Sequence, residues 1–354
     1  MSRTEGSIPS LDGWRALAIS IVFLSHAGFG NLIPGGLGVT IFFFLSGYLI
    51  TLLLIREMTA SGTISLKSFF MRRFLRLMPP LLVTLFLCYL LTWLGITSGG
   101  ISWQGLAAQV FYYANYYGIF LDPGNSTPTG TGIYWSLAVE EHFYFVFPLI
   151  FMAFYTRDRP ARLILLLIAT CVCVLLWRCY LVFFFHVSAE RTYYATDTRI
   201  DSIVYGCLLA VAAGLPARRL QTLTRTMGVA VFTAAAMLLF TIVLRNPGFR
   251  ETFRYSMQGA ALAPLFYYSV LAPGSTPFRL LNTSTARLIG KYSYSIYLIH
   301  FFLLQNILGR YASKWTGIMV CIVLSIGYAF LIDRYIDLPM SALRRRFRHQ
   351  HSAA

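Results

Sequence analysis

The chain has 354 residues, of which 57% are hydrophobic and 12% charged, with a formal net charge of +16. A mean hydropathy of +0.65 is more apolar surface than a soluble fold can hide, which excludes a soluble domain and makes this a polytopic membrane protein. The basic residues fall in short loops between apolar stretches, so membrane topology accounts for them, and lipid rather than nucleic acid is the expected partner.

Hydropathy and turn signals predict an all-α membrane bundle of about ten crossing helices. They fall at 11–29, 36–56, 79–97, 134–155, 162–185, 199–214, 226–244, 255–271, 287–309 and 315–336. The whole of 1–354 reads as a single membrane domain with a short basic tail from about 340, and no internal repeat is visible. The first apolar span lacks a short h-region followed by a small-residue cleavage site, so it reads as a retained helix. The six cysteines (Cys88, Cys171, Cys173, Cys179, Cys207, Cys321) lie in apolar stretches with no CxxC spacing. They are expected to behave as small hydrophobes, with neither metal nor disulfide.

The stretch from Leu11 to Thr51 is the most informative. An apolar helix opens with Asp12 and Arg15 and carries His26 deep inside, followed by a glycine-rich entry into a second apolar helix. Arg15 and His26 are three turns apart on one face, about 16 Å along the axis. In a hydrocarbon core about 30 Å thick, His26 lies past the middle when Arg15 is at one membrane face. Ionisable groups at that depth usually face a protein interior or a wet cavity. His26 is therefore either a base on a cavity wall with a cation at the mouth, or a histidine hydrogen-bonded to a neighbouring helix.

Ser65 to Pro80 interleaves Phe69, Phe70, Phe74, Leu75 and Leu77 with Arg72, Arg73 and Arg76, and Arg72 and Arg76 share a face at i, i+4. This predicts an amphipathic helix at the cytoplasmic interface. It serves either as an anchor on anionic lipid or as the site for a donor's phosphates, which guanidinium forks match. The long loop from Ile96 to Tyr134 is dense in aromatics (Trp103, Phe111, Tyr112, Tyr113, Tyr116, Tyr117). An interfacial belt explains most of them, and stacking on a sugar ring is the alternative.

Within Tyr134 to Pro148, Glu140 and Glu141 sit in an apolar helix beside His142. A carboxylate there is neutralised or paired. Asp197, Arg199 and Asp201 cluster where the chain re-enters the membrane; a local Asp–Arg network is the expected arrangement, with Arg199 balancing Glu140 or an anionic acceptor as the other. Gly206 permits close helix packing. His300 lies in an apolar helix whose Tyr and Ser residues can bond it. The DRYIDLP segment and basic tail read as a cytoplasmic stop, and His349 and His351 as solvated tail.

Loop charges predict the orientation. Lys67, Arg72, Arg73 and Arg76; Arg157, Arg159 and Arg162; Arg218, Arg219 and Arg225; Arg279 and Arg287; and Arg344, Arg345, Arg346 and Arg348 occupy alternate loops, while Asp122 is the only charge between Ile96 and Tyr134. Both termini are expected in the cytoplasm. The loop with Arg245, Arg250 and Arg254, offset only by Glu251, breaks the pattern. Either it binds an anionic headgroup or acceptor, or a span is misplaced.

The pattern LDGxRAxA, a His eleven residues after its Arg, and then GGxGVxxFFxxSG resembles the membrane acyltransferase-3 family. The RRxxRxxP run, the WSLxVExxFYxxxP run around Glu140, and the GKYSYSIYLIHFF segment resemble further signatures of that family. Two positions depart from it: many members have Asp at Thr40 and Gln at His142. The resemblance implies O-acylation of a hydroxyl from acyl-CoA, acetyl-CoA being the family-based guess, as a donor substrate and not a resident cofactor. It implies a cell-surface or lipid-linked saccharide acceptor, such as O-antigen or exopolysaccharide, and a bacterial cytoplasmic membrane setting. It also places the functional carboxylate at Glu140. Some relatives carry an extra extracytoplasmic hydrolase-like domain; a stand-alone membrane form is expected here.

On this reading His26 is the general base. Glu140 orients it or stabilises its charged form. Arg15 pairs with Asp12 or holds donor phosphates, and Arg72, Arg73 and Arg76 bind coenzyme A from the cytoplasm. Ser25 and Ser46 are near enough to be nucleophile candidates, although packing is the simpler role for both. With no GxSxG elbow, direct transfer and an acyl-enzyme both stay open. Two rival functions also stay open: an acyltransferase for a small acceptor such as a macrolide, and a transporter of acyl groups, lipid or sugar without chemistry.

Overall fold

The computed structural model describes residues 8–122, 124–213, 220–310 and 313–347, with side chains left undescribed for 220–226. Arg218, Arg219, Arg348, His349 and His351 lie outside the described residues, as does the side chain of Arg225.

The described residues form helices and no strand. In chain order they are α1 (Leu11–Leu24), α2 (Gly35–Ser61), α3 (Leu66–Trp93), α4 (Trp103–Val110), α5 (Ala114–Phe120), α6 (Trp135–Phe154), α7 (Ala161–Phe183), α8 (Ala189–Tyr194), α9 (Thr196–Ala213), α10 (Leu220–Val243), α11 (Pro247–Glu251), α12 (Phe253–Leu271), α13 (Ser284–Ile307), α14 (Lys314–Ile332) and α15 (Leu338–Arg346). Each predicted span falls on one of the long helices. Five helical segments are long and apolar enough to cross a membrane by length and composition: Gly35–Ser61, Leu66–Trp93, Gly132–Phe154, Ala161–Phe183 and Lys314–Arg346.

Three details differ from the sequence reading. The expected interfacial helix and the third span are one helix, α3, which runs through Pro79 and Pro80. Proline's fixed φ is compatible with the helix, and the missing N–H groups free the Leu75 and Arg76 carbonyls; nearby, Tyr294 Oη donates to Leu77 O at 2.8 Å and Thr84 Oγ1 to Pro80 O at 2.7 Å. The long aromatic loop folds into α4 and α5. The DRYIDLP segment does not stop the last helix: a π turn over Asp333–Asp337 carries it into α15, whose end is tied back where Arg72 donates to Phe347 O at 3.2 Å. Of the cysteines, Cys173 is exposed on its helix rather than buried.

Helix packing is set by residues that lack a side chain. Gly47 of α2 and Gly206 of α9 face each other's helices. A Cβ on Gly47 would lie 1.9 Å from Ile203 O, and one on Gly206 would lie 2.0 Å from Phe44 O. The backbones therefore touch, which is how helices associate where lipid supplies no hydrophobic drive. In the same way Gly290 of α13 sits against the Asp12 carbonyl of α1. That contact fixes α1 and α13 side by side and in parallel.

Candidate active site

At its far end α1 changes hand-hold. Ser25–Phe29 forms a π turn, with Gly28 at φ 93°, a left-handed conformation glycine adopts without strain. Such wide turns recur at functional sites. This one carries His26, and α13 presents His300 opposite it. His26 Nδ1 lies 3.0 Å from His300 Nε2, with the two rings nearly parallel at 10°. His300 Nδ1 lies 2.8 Å from the Tyr297 carbonyl oxygen. A carbonyl only accepts, so His300 carries its proton on Nδ1. In a pair of neutral rings, His300 Nε2 then accepts from His26 Nδ1, and the lone pair of His26 is left on Nε2. His300 is fully buried, while His26 is half-buried, with Phe301 packed on it at 4.2 Å. The expectation that Tyr or Ser hydroxyls hold His300 is corrected: a backbone carbonyl and a second imidazole do.

Glu140 does not orient His26. Its Oε1 accepts from Ser46 Oγ at 2.7 Å and its Oε2 from Tyr144 Oη at 3.4 Å. It lies on a different wall, in a cavity of about 220 Å³ between α1, α2, α3, α6 and α13. Val39 and Arg56 both line this cavity, and at 1.5 Å per residue its ends are about 25 Å apart along α2. Arg56, Arg73 and Arg76 line it towards the end where Glu57 meets Arg72, and Arg15 lies near Arg76. Ser46, Glu140 and Tyr144 form the middle, and Ser136 and Tyr297 the inner end. The Arg73 guanidinium lies 4.0 Å over the Tyr144 ring, a cation–π contact that leaves its charge facing the cavity.

The structure thus brings together Arg15, Ser46, Arg73, Arg76 and Glu140. Asp12 holds Arg15 at 2.6 Å. Arg72 turns away, paired with Glu57 at 2.8 Å. His26 and His300 do not line the cavity; Tyr297 stands between, its ring 5.5 Å from that of His300 and its hydroxyl bonded to Ser136 Oγ at 2.6 Å and Ile133 O at 3.0 Å. The sequence reading missed Arg56, Tyr144, Ser136 and Tyr297. Arg56 had a signal, as a lone cation ending an apolar span. The three hydroxyls stood inside the quoted family signatures, Ser136 and Tyr144 in WSLxVExxFYxxxP and Tyr297 in GKYSYSIYLIHFF, but were given no role because such groups are common in membrane helices.

The local Asp197–Arg199–Asp201 network is also corrected. Residues two apart on a helix point to different sides. Asp197 pairs with Arg191 at 2.5 Å, and Asp201 with the buried Arg178 at 2.7 Å. Arg199 is fully buried and donates to Thr40 Oγ1 at 3.1 Å. It is boxed by Tyr255 at 4.0 Å, Tyr193 at 5.2 Å, Phe43 at 5.5 Å and Trp135 at 5.8 Å. Thr40, where the resemblance leads one to expect Asp, is thus the residue that meets Arg199. Among the described residues Arg199 makes no ion pair with Glu140 or any other carboxylate.

The sequence profile of the acyltransferase domain covers residues 8–334. This chain belongs to the acyltransferase-3 family. O-acetyltransferase OatA of Staphylococcus aureus strain NCTC 8325 / PS 47 is 30% identical over 351 residues, covering 94% of this chain and 57% of the relative. The provisionally named O-acetyltransferase SACOL0978 of strain COL is 29% identical over 348 residues with the same coverage. The family member described here therefore spans little more than half the length of the curated relatives it matches. No solved structure matches it.

Proposed function

We propose that this chain is a membrane O-acyltransferase moving an acyl group, acetyl in the simplest case, from acyl-CoA to a hydroxyl of a lipid-linked or cell-surface saccharide, in a bacterial cytoplasmic membrane. The observation that carries the reading is the long cavity with four arginines at one end and a histidine pair just beyond the other. Guanidinium groups of Arg15, Arg56, Arg73 and Arg76 suit the phosphates of coenzyme A. The cavity suits a flexible thioester arm, with Ser46, Glu140 and Tyr144 as polar contacts along it.

In the proposed reaction His26 Nε2 takes the proton of the acceptor hydroxyl as its oxygen attacks the thioester carbonyl carbon. The carbon–sulfur bond then breaks, and the thiolate leaves with a proton from the imidazolium. His300, locked by the Tyr297 carbonyl, holds His26 in the tautomer that exposes the lone pair. This path requires the Tyr297 ring to turn aside, since it separates the cavity from the histidines. The family membership and the names of the relatives support the reaction type; the donor and the saccharide acceptor are inferences from the chemistry of the site.

The test is transfer of radiolabelled acetyl from acetyl-CoA to a lipid-linked glycan by the purified chain in detergent, compared with His26→Ala. Ester formation lost in the variant supports the reading. Unchanged transfer by the variant removes His26 as the base, and passage of label without ester would make the protein a transporter.

A further inference from the structure

A second cavity, of about 120 Å³, lies at the end of α1 and α2 opposite the arginine mouth. Its walls are the segment after the π turn, including Gly30 and Gly36, and the turn between α10 and α12. Both of those helices are present where spans were expected, and the turn between them carries the anomalous charge. Arg245, Arg250 and Arg254 line the cavity together with Thr241 and Gln258, and among the described residues no carboxylate does. Glu251, the carboxylate of the same turn, is directed away and accepts from Thr192 Oγ1.

The donors there are only partly used. Arg245 Nη2 donates to Asn31 O at 2.7 Å and Arg254 Nη2 to Tyr255 Oη at 2.8 Å. Among the described residues the Arg250 guanidinium meets no hydrogen-bond acceptor or carboxylate, and the buried Arg254 Nε is unpartnered. Gln258 is 2% exposed; its Nε2 donates to Thr241 Oγ1 at 3.2 Å, and its Oε1 has no donor among the described residues. A buried carboxamide oxygen left unmet is costly. The site therefore presents guanidinium donors and, next to them, a carboxamide acceptor in Gln258 Oε1.

We propose that this pocket binds a phosphate ester with a neighbouring hydroxyl, carried either by a lipid-linked saccharide or by a phospholipid headgroup. Guanidinium forks match phosphate oxygens, and Gln258 Oε1 accepts from the hydroxyl. The location favours the saccharide. Gly36 lines this pocket, while Val39, about one turn along α2, lines the donor cavity; Gly30 follows His26 by about one turn. A saccharide anchored here by phosphate is held beside both. The saccharide arm rests on the acyl-transfer reading; the anion site itself does not.

The test reads binding and not turnover, so failure of the transferase reading leaves it interpretable. Detergent-solubilised full chain is incubated with a polyprenyl-phosphate-linked monosaccharide, with its phosphate-free analogue, or with phosphatidylglycerol, and bound lipid is measured by native mass spectrometry. Arg245→Gln/Arg250→Gln is expected to weaken the phosphate ligand about tenfold while acetyl-CoA affinity is kept. Arg159→Gln, in an exposed turn elsewhere, controls for net charge. Loss confined to the saccharide identifies an acceptor seat, and loss confined to phosphatidylglycerol a headgroup site. Equal binding by wild type and variant, or equal binding of the phosphate-free analogue, overturns the proposal. If the double variant does not fold, as its acetyl-CoA affinity will show, Arg250→Gln alone decides between the same outcomes.

Discussion

His26 and His300, 274 residues apart in sequence, meet ring to ring with 3.0 Å between Nδ1 and Nε2. The carbonyl behind His300 gives this contact a direction, so in the proposed reaction the pair acts as one unit rather than as two independent bases. On the proposed reaction His26→Ala lowers kcat by about 10²-fold or more, and His300→Ala by a comparable amount, with the KM for acetyl-CoA unchanged in both. The double variant falls no further than His26→Ala. Steady-state kinetics of the four proteins checks this, and multiplicative losses would show that the histidines act separately.

The basic run on α3 divides by direction. Arg73 and Arg76 line the long cavity, the donor site in the proposed reaction, whereas Arg72 is held by Glu57. Arg73→Gln and Arg76→Gln are each expected to raise the KM for acetyl-CoA about tenfold with little change in kcat, because removing a charge-assisted contact made equally in ground and transition states weakens binding alone. Arg72→Gln is expected to leave that KM within about twofold, since a partly exposed ion pair contributes little. A rise for Arg72→Gln equal to the other two would place it back at the phosphates.

The sequence made the helices legible because apolar periodicity and loop charge are local. It also singled out His26, Glu140, His300 and the α3 arginines, since ionisable groups in apolar helices are conspicuous. What it could not give was partnership. Glu140 looked like a support for His26 because the family resemblance puts the functional carboxylate there, yet Glu140 lies on α6 and His26 on the turn after α1, which packs on α13 through contacts such as Gly290 against the Asp12 carbonyl. Helix rotation sends Arg199 and Asp201 to separate neighbours, although they are two residues apart. Side-chain direction depends on packing between distant segments, and one-dimensional spacing carries none of it.

That packing yields a stability prediction. Gly206→Ala puts a methyl group where the Phe44 carbonyl already is, and forcing α9 from α2 is expected to cost about 1–3 kcal/mol. Gly228 in α10 has nothing within 4 Å of its would-be Cβ, so Gly228→Ala is expected to be neutral or to gain up to about 1 kcal/mol from helix propensity. Thermal unfolding in detergent checks both. A Gly206→Ala protein as stable as wild type would mean that the two helices are not held at backbone contact.

Thr40 supplies the hydroxyl that accepts from Arg199, whose Nε and Nη1 have no hydrogen-bond partner among the described residues. The guanidinium is stabilised by aromatic faces alone on its other sides. Removing the hydroxyl with Thr40→Val leaves the cation with one acceptor fewer and is expected to destabilise the fold by about 1–3 kcal/mol. Thr40→Asp adds a carboxylate beside a charge that is already desolvated, so the attraction is gained at the desolvation cost of one partner rather than two. Its unfolding midpoint is expected above that of wild type, and Arg199→Gln combined with Thr40→Asp is expected to reverse the gain by stranding the carboxylate. If Thr40→Asp unfolds at a lower temperature than wild type while Thr40→Val does not, Arg199 is not carrying an uncompensated charge in this cage.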